Sequence, residues 1–157
     1  MPQDPIYTSP QSPAHLRNVL ARLQQIIEGI NDGSIGSGGT SSVTAAFTSA
    51  ATAGDAVYAD GDGSVDLAIA TSYDSSLVVG FAAETVSMGA SGTYIPIGVV
   101  DLSGLTLTPG TQYFLSPSVA GGITATAPSV AGQYIVPLGV ATESGQFSFS
   151  PFPPVLI

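Results

Sequence analysis

The sequence contains no cysteine, no tryptophan and no lysine, and its only basic side chains are Arg17 and Arg22. Without cysteine there is neither a disulfide framework nor a thiolate metal site, and the redox compartment stays open. Without positive charge after Arg22, and with a formal net charge of −9, the chain repels nucleic-acid phosphates and anionic lipid headgroups. Neither nucleic acid nor a membrane is expected as a partner, and the acidity reads as a device for solubility. No apolar run reaches the roughly 20 residues that cross a bilayer as a helix. The first 13 residues, MPQDPIYTSPQSP, have neither the basic start nor the apolar stretch of a signal peptide, so a soluble chain is expected.

Recognisable chemistry is scarce as well. There is no G-x-S-x-G elbow, no H-E-x-x-H and no Walker-type loop. The single histidine, His15, has no companion acid or reactive serine near it in sequence. The one stretch that looks like a site is AVYADGDGSVDLA, residues 56–68, with Asp60, Asp62, Ser64 and Asp66 at alternate positions. An EF-hand counted from Asp60 would need glycine in the sixth place and a bidentate glutamate in the twelfth, where Val65 and Thr71 stand. Glycoside cleavage by paired carboxylates would need one of them desolvated beside sugar-binding aromatics. The simpler expectation is a hairpin in which Gly61 and Gly63 supply the tight turn and aspartates cap it. No catalytic residue, cofactor or metal ligand is therefore assigned, and the chain is not expected to be an enzyme.

What is present is glycine, proline and apolar side chains: 19 Gly, 12 Pro and 44% hydrophobic residues against 8% charged. This describes a folded, turn-rich β protein, and its length suits one compact domain with an appendage. Four prolines in the first 13 residues make residues 1–12 an extended arm, in which Pro5, Ile6 and Tyr7 offer the apolar anchor. Ser12 and Pro13 open a helix over residues 13–30, a hydroxyl cap followed by proline at the first helical position. Leu16, Val19, Leu20, Leu23, Ile26, Ile27 and Ile30 form a continuous apolar stripe on it. The stripe packs either on the β domain or on the same helix of neighbouring subunits as a short coiled coil. The Gly/Ser-rich linker that follows, residues 31–42, favours the second, because it lets the helix sit roughly 20 Å from the domain.

From residue 43 to residue 157 short apolar runs alternate with turn residues about every 8–12 positions, as in a small antiparallel β-barrel or sandwich. Strands are expected near 43–48, 55–59, 64–70, 76–84, 92–100, 111–116, 122–126, 133–141 and 145–150. Pro109 and Gly110 of TPGT centre one turn, and Gly121 and Gly122 of SVAGGIT another. Phe147 and Phe149 of QFSFS face one side. Pro96 and Pro137, inside strand-like runs, mark edge strands or bulges.

Within residues 52–151, the AGD-VY opening, VVGFA, ASGTY-P-GVV, LTPGTQYFLS, AGGIT and GQYIVPLGVA together resemble a small β module of tailed-bacteriophage virion proteins. Such modules occur in capsid decoration (cement) proteins and in fibre or tail proteins. The resemblance implies a structural role on the capsid exterior, as a homotrimer bound to the major capsid protein and bridging its subunits. The alternative it leaves is a fibre or receptor-binding module facing a host glycan. It implies no catalytic residues.

Overall fold

The computed structural model describes residues 41–157. The expected arm (1–12), helix (13–30) and nearly all of the linker (31–42) lie outside the described residues. Five strands, β1 (Val43–Phe47), β2 (Ala56–Gly61), β3 (Ser64–Leu67), β4 (Val78–Ala82) and β5 (Ser91–Ile95), close into a barrel in the order β1-β3-β2-β4-β5. Four of its five seams are antiparallel. The fifth is parallel, with Ala46 opposite Ser64 and Phe47 opposite Val65. The expected all-antiparallel barrel is corrected at this seam, for a geometric reason: strand directions cannot alternate all the way round a ring with an odd number of members.

The remaining chain builds a second sheet. Strands β6 (Gly98–Asp101), β7 (Gln112–Leu115), β8 (Ile123–Thr124), β10 (Pro137–Glu143) and β11 (Gln146–Phe149) stand in the order β6-β11-β10-β7-β8. Strand β9 (Tyr134–Ile135) pairs with β12 (Val155–Leu156) as a separate two-stranded ribbon. The architecture is therefore a barrel joined to an open sheet.

Two apolar clusters follow from the two-residue period of a strand. Phe47, Val57, Val65 and Ala82 belong to the cluster of the barrel strands, with Ala51 and Val86 from the adjoining loops. Ala56, Val78 and Phe81 belong to the other cluster, together with Val100, Tyr113, Leu115, Leu138, Phe147 and Phe149 of the second sheet. Ala56 and Val57 are neighbours in sequence yet serve different clusters, as are Phe81 and Ala82. Strands β2 and β4 are thus covered on both faces, which is why AVY and VVGFA read as apolar runs without alternation. In β4 a bulge assists: Val57 faces Gly80 and Tyr58 faces Val78, leaving Val79 as the extra residue. Val79 packs against the barrel cluster while its neighbour Val78 joins the other.

The larger cluster is centred on aromatic rings. Phe81 meets Phe147 at 5.7 Å and Phe149 at 5.0 Å between centroids, both edge to face, an arrangement that suits the ring quadrupoles. Phe147 and Phe149 do face one side, and it is the buried one. A backbone seam adds to this packing. The Ala56 N–H donates to the Gly121 carbonyl (2.8 Å), the Gly121 N–H to that of Ala68 (2.8 Å), and the Ala70 N–H to that of Ser116 (3.0 Å). Ala56, Ala68 and Ala70, whose side chains are single methyl groups, are completely buried along this seam.

Each of the nine expected strand intervals contains a strand, and two of them are divided. Pro96 stands in the gap between β5 and β6, where the chain leaves the barrel for the second sheet. Pro137 begins β10, which lies inside the sheet between β11 and β7. The register shifts between Pro137 and Gly139, so the bulge is observed at Pro137 and the edge position is not. Gly139 has φ +149°, and a Cβ there would run into the Ser148 carbonyl oxygen, so this bulge accepts only glycine. Strand β12 was not expected, because three prolines in PFPPVLI mask a two-residue strand.

Replacement of Phe81 by alanine is expected to lower unfolding free energy by about 3–5 kcal/mol, since the ring is fully buried between the two layers. Val99→Ala, at a side chain 52% exposed on β6, should cost less than about 1 kcal/mol. Denaturant melts of both variants check the contrast.

Candidate functional site

The acidic stretch is a hairpin. Gly61 of β2 pairs with Ser64 of β3, and the two residues between them, Asp62 and Gly63, have φ +50° and +78°. Two successive positive φ values are the requirement of a type I′ turn, for which Asp-Gly is a favoured pair. The hairpin expectation holds, with its details revised. The turn is centred on Asp62-Gly63, Asp60 is the extra residue of a bulge between Ala59 and Gly61, and the side chain that bonds across the turn is that of Ser64, whose Oγ donates to the Gly61 carbonyl at 2.8 Å. The aspartates bond elsewhere. Asp60 Oδ1 accepts the Tyr58 hydroxyl at 3.3 Å, and Asp66 Oδ1 accepts the Leu67 N–H at 2.8 Å.

Beside the hairpin, Tyr58, Asp60, Ser72, Asp74 and Ser75 line a polar cleft of about 470 Å³. Burial pushes the Tyr58 phenol above its usual titration range, and the negative charges of Asp60 and Asp66 push it further. Among the described residues no three histidine, aspartate or glutamate side chains converge as a metal-binding group.

A second cleft, of about 360 Å³, opens where the barrel meets the second sheet. It is assembled from three separate stretches: the loop before β2 (Thr52–Asp55), the loop after β6 (Leu102 and Leu105), and the β7–β8 connection (Val119, Gly121). Asp55 is its single charged residue and is held firmly. Its Oδ2 accepts the Thr52 N–H (2.8 Å), its own N–H donates to the Thr52 carbonyl (3.0 Å) and its carbonyl accepts the Ala82 N–H (2.8 Å). Opposite lies Gly121, with φ +74°, where a Cβ would fall 2.8 Å from the Asp55 Cβ and 2.9 Å from its carboxyl carbon. The β7–β8 turn presents that glycine because Ser116 Oγ accepts the N–H groups of Ser118 and Val119 at 3.2 and 3.0 Å. Of the two glycines expected to make this turn, Gly121 alone has positive φ.

The residues singled out for association (Leu16, Val19, Leu20, Leu23, Ile26, Ile27 and Ile30) and for anchoring (Pro5, Ile6 and Tyr7) lie outside the described residues. The junction cleft was not foreseen, because its walls come from positions scattered over some seventy residues of sequence. The available signal was Asp55 itself, a lone acid directly before the buried pair Ala56-Val57.

Charge is the other property of the domain. Asp4, Glu28 and Asp32 are the only acids before residue 41, so eight of the 11 acids lie in residues 41–157, which contain no lysine, arginine or histidine. The chain matches no protein-family model and no curated protein.

Because the hairpin turn closes through Ser64 and backbone geometry, removal of calcium with a chelator should leave the melting temperature unchanged; a loss of several degrees would reveal stabilisation by bound metal. For Tyr58, the folded pKa lies above the unfolded one, near 10. Its contribution to stability is therefore fully present below about pH 10 and is lost as pH rises through the folded value. Tyr58→Phe should flatten this alkaline fall, read as denaturant midpoints across a pH series.

Proposed function

We propose that the chain is a bacteriophage virion structural protein, a capsid decoration (cement) protein that stabilises the head by bridging capsid subunits. The observation that carries this is a small β domain with eight carboxylates and no cation. Such a domain suits the outer surface of a particle, whereas a protein facing the packaged genome would carry lysine or arginine to meet phosphate. The sequence resemblance adds to it, since VVGFA coincides with β4, LTPGTQYFLS with the turn into β7, and GQYIVPLGVA with β9 and the start of β10. A cement protein acts by binding free energy alone, and a homotrimer attached through several arms gains avidity without any single strong contact.

In this proposal the stripe Leu16, Val19, Leu20, Leu23, Ile26, Ile27 and Ile30 of an amphipathic helix over residues 13–30 holds the trimer together. The Pro-rich arm, residues 1–12, lies on the major capsid protein, with Ile6 and Tyr7 as anchors. Proline leaves the free arm less freedom to lose on ordering.

Two experiments test the proposal. Deletion of residues 1–32 should convert the oligomer into a monomeric, folded β domain, seen by sedimentation; persistence of the oligomer would move the interface to the β surfaces. Virions lacking the protein should take up purified full-length chain and little of a form without residues 1–12, with Ile6→Ala plus Tyr7→Ala intermediate. Undiminished uptake of the truncated form, or density for the chain only at the tail tip, would overturn the decoration role in favour of a fibre module.

A further inference from the structure

We propose that the cleft at the junction of barrel and second sheet is a socket for one lysine or arginine side chain presented by a partner protein. The aliphatic stem lies against Leu102, Leu105 and Val119, and the cation meets the Asp55 carboxylate. This stands independently of the virion assignment, since it concerns the β domain alone.

Size and chemistry select the occupant. At about 360 Å³ the cleft is at the lower end of ligand sites, large enough for one long side chain and small for a cofactor. Its apolar walls differ in depth. Leu102 is buried, whereas Leu105 and Val119 are 44% and 60% exposed and form a rim. A stem of three or four methylene groups satisfies walls of this kind while its charged end reaches the acid. An anion is excluded by Asp55 and by the charge of the whole domain. A sugar would require an aromatic platform, and the lining contains no aromatic residue. A metal ion would need several oxygen ligands, and Asp55 is the sole carboxylate of the lining.

Asp55 is prepared for this role. One carboxylate oxygen, Oδ2, is committed to the Thr52 N–H, which fixes the rotamer. Among the described residues no donor reaches Oδ1. The backbone of Asp55 is bonded on both sides, so little ordering remains to be done on binding. Charge complementarity then points outward. Residues 41–157 contain no cation of their own for Asp55 or for the other seven acids, and a field of one sign steers basic partners toward the domain.

The test uses the purified full-length chain and n-butylguanidinium and n-butylammonium as probes, with n-butanol and butyrate as neutral and anionic controls, followed by two-dimensional amide NMR. Both cations should give saturable shifts at Asp55, Leu105, Val119 and Gly121. Butanol should bind about two- to fivefold more weakly, the margin of a partly exposed charge pair, and butyrate not at all. Asp55→Asn, which keeps an acceptor for the Thr52 N–H, should remove the preference for the cations over butanol. Val119→Trp, at the exposed rim, should close the cleft and abolish binding of all probes with the melting temperature retained. Equal binding of cations and butanol, an unchanged preference in Asp55→Asn, binding that survives Val119→Trp, or shifts spread over the other carboxylates would each overturn the socket. If the cations bind only after Arg17→Gln with Arg22→Gln, the occupant is an arginine of the chain itself and the partner proposal fails.

Discussion

The structure depends on one shared wall. Strands β2 and β4 belong to the barrel, yet they also form the floor on which the second sheet packs, and their side chains are divided between two apolar clusters. Phe81 links the two layers directly, since its ring, on barrel strand β4, packs edge to face on Phe147 and Phe149 of the second sheet. Burying one such ring stabilises the fold by roughly 1.5–3 kcal/mol relative to exposing it. The consequence reaches the whole described unit: a barrel of five short strands with a small interior gains a second, larger core from the same strands.

The same junction creates the feature with the clearest binding chemistry. Close approach of the two layers along Ala56, Ala68 and Ala70 brings the β7–β8 turn against the loop that carries Asp55. Gly121 permits that approach, since any side chain there would collide with the carboxylate. An acid held beside apolar walls, in a domain devoid of cations, invites a complementary charge from outside. A surface of one sign of charge favours solubility and steers a basic group toward the domain.

Much of the β architecture was legible in the residues. Turn chemistry located the strand boundaries, because Gly61, Gly63, Gly110 and Gly121 all have the positive φ that few other residues accept, although the acidic turn is centred on Asp62-Gly63 and Gly122 does not share the positive φ expected of it. Alternation in QFSFS placed Phe147 and Phe149 on one side of β11, and the structure shows that side to be the buried one. The divided strands were legible only in part: Pro96 and Pro137 announced an interruption, but an interruption between two sheets and a bulge inside one look alike when read along the chain. The arm and the apolar helix stripe are patterns of residues 1–30, and their roles rest on sequence alone.

Composition and period by themselves determined that residues 43–157 are β structure, that the acidic stretch is a turn, and that the domain is negative throughout, since each of these depends on residues near one another or on their sum. Only the tertiary structure decided that the barrel closes with a parallel seam, that β2 and β4 are buried on both faces, and that Asp55 shares a cleft with Leu105 and Val119. The reason is physical. Local preferences act over a few residues through backbone sterics and hydrogen bonds, whereas strand order and cleft walls are set by contacts between segments tens of residues apart, whose pairing is chosen by how two whole layers bury their apolar faces together.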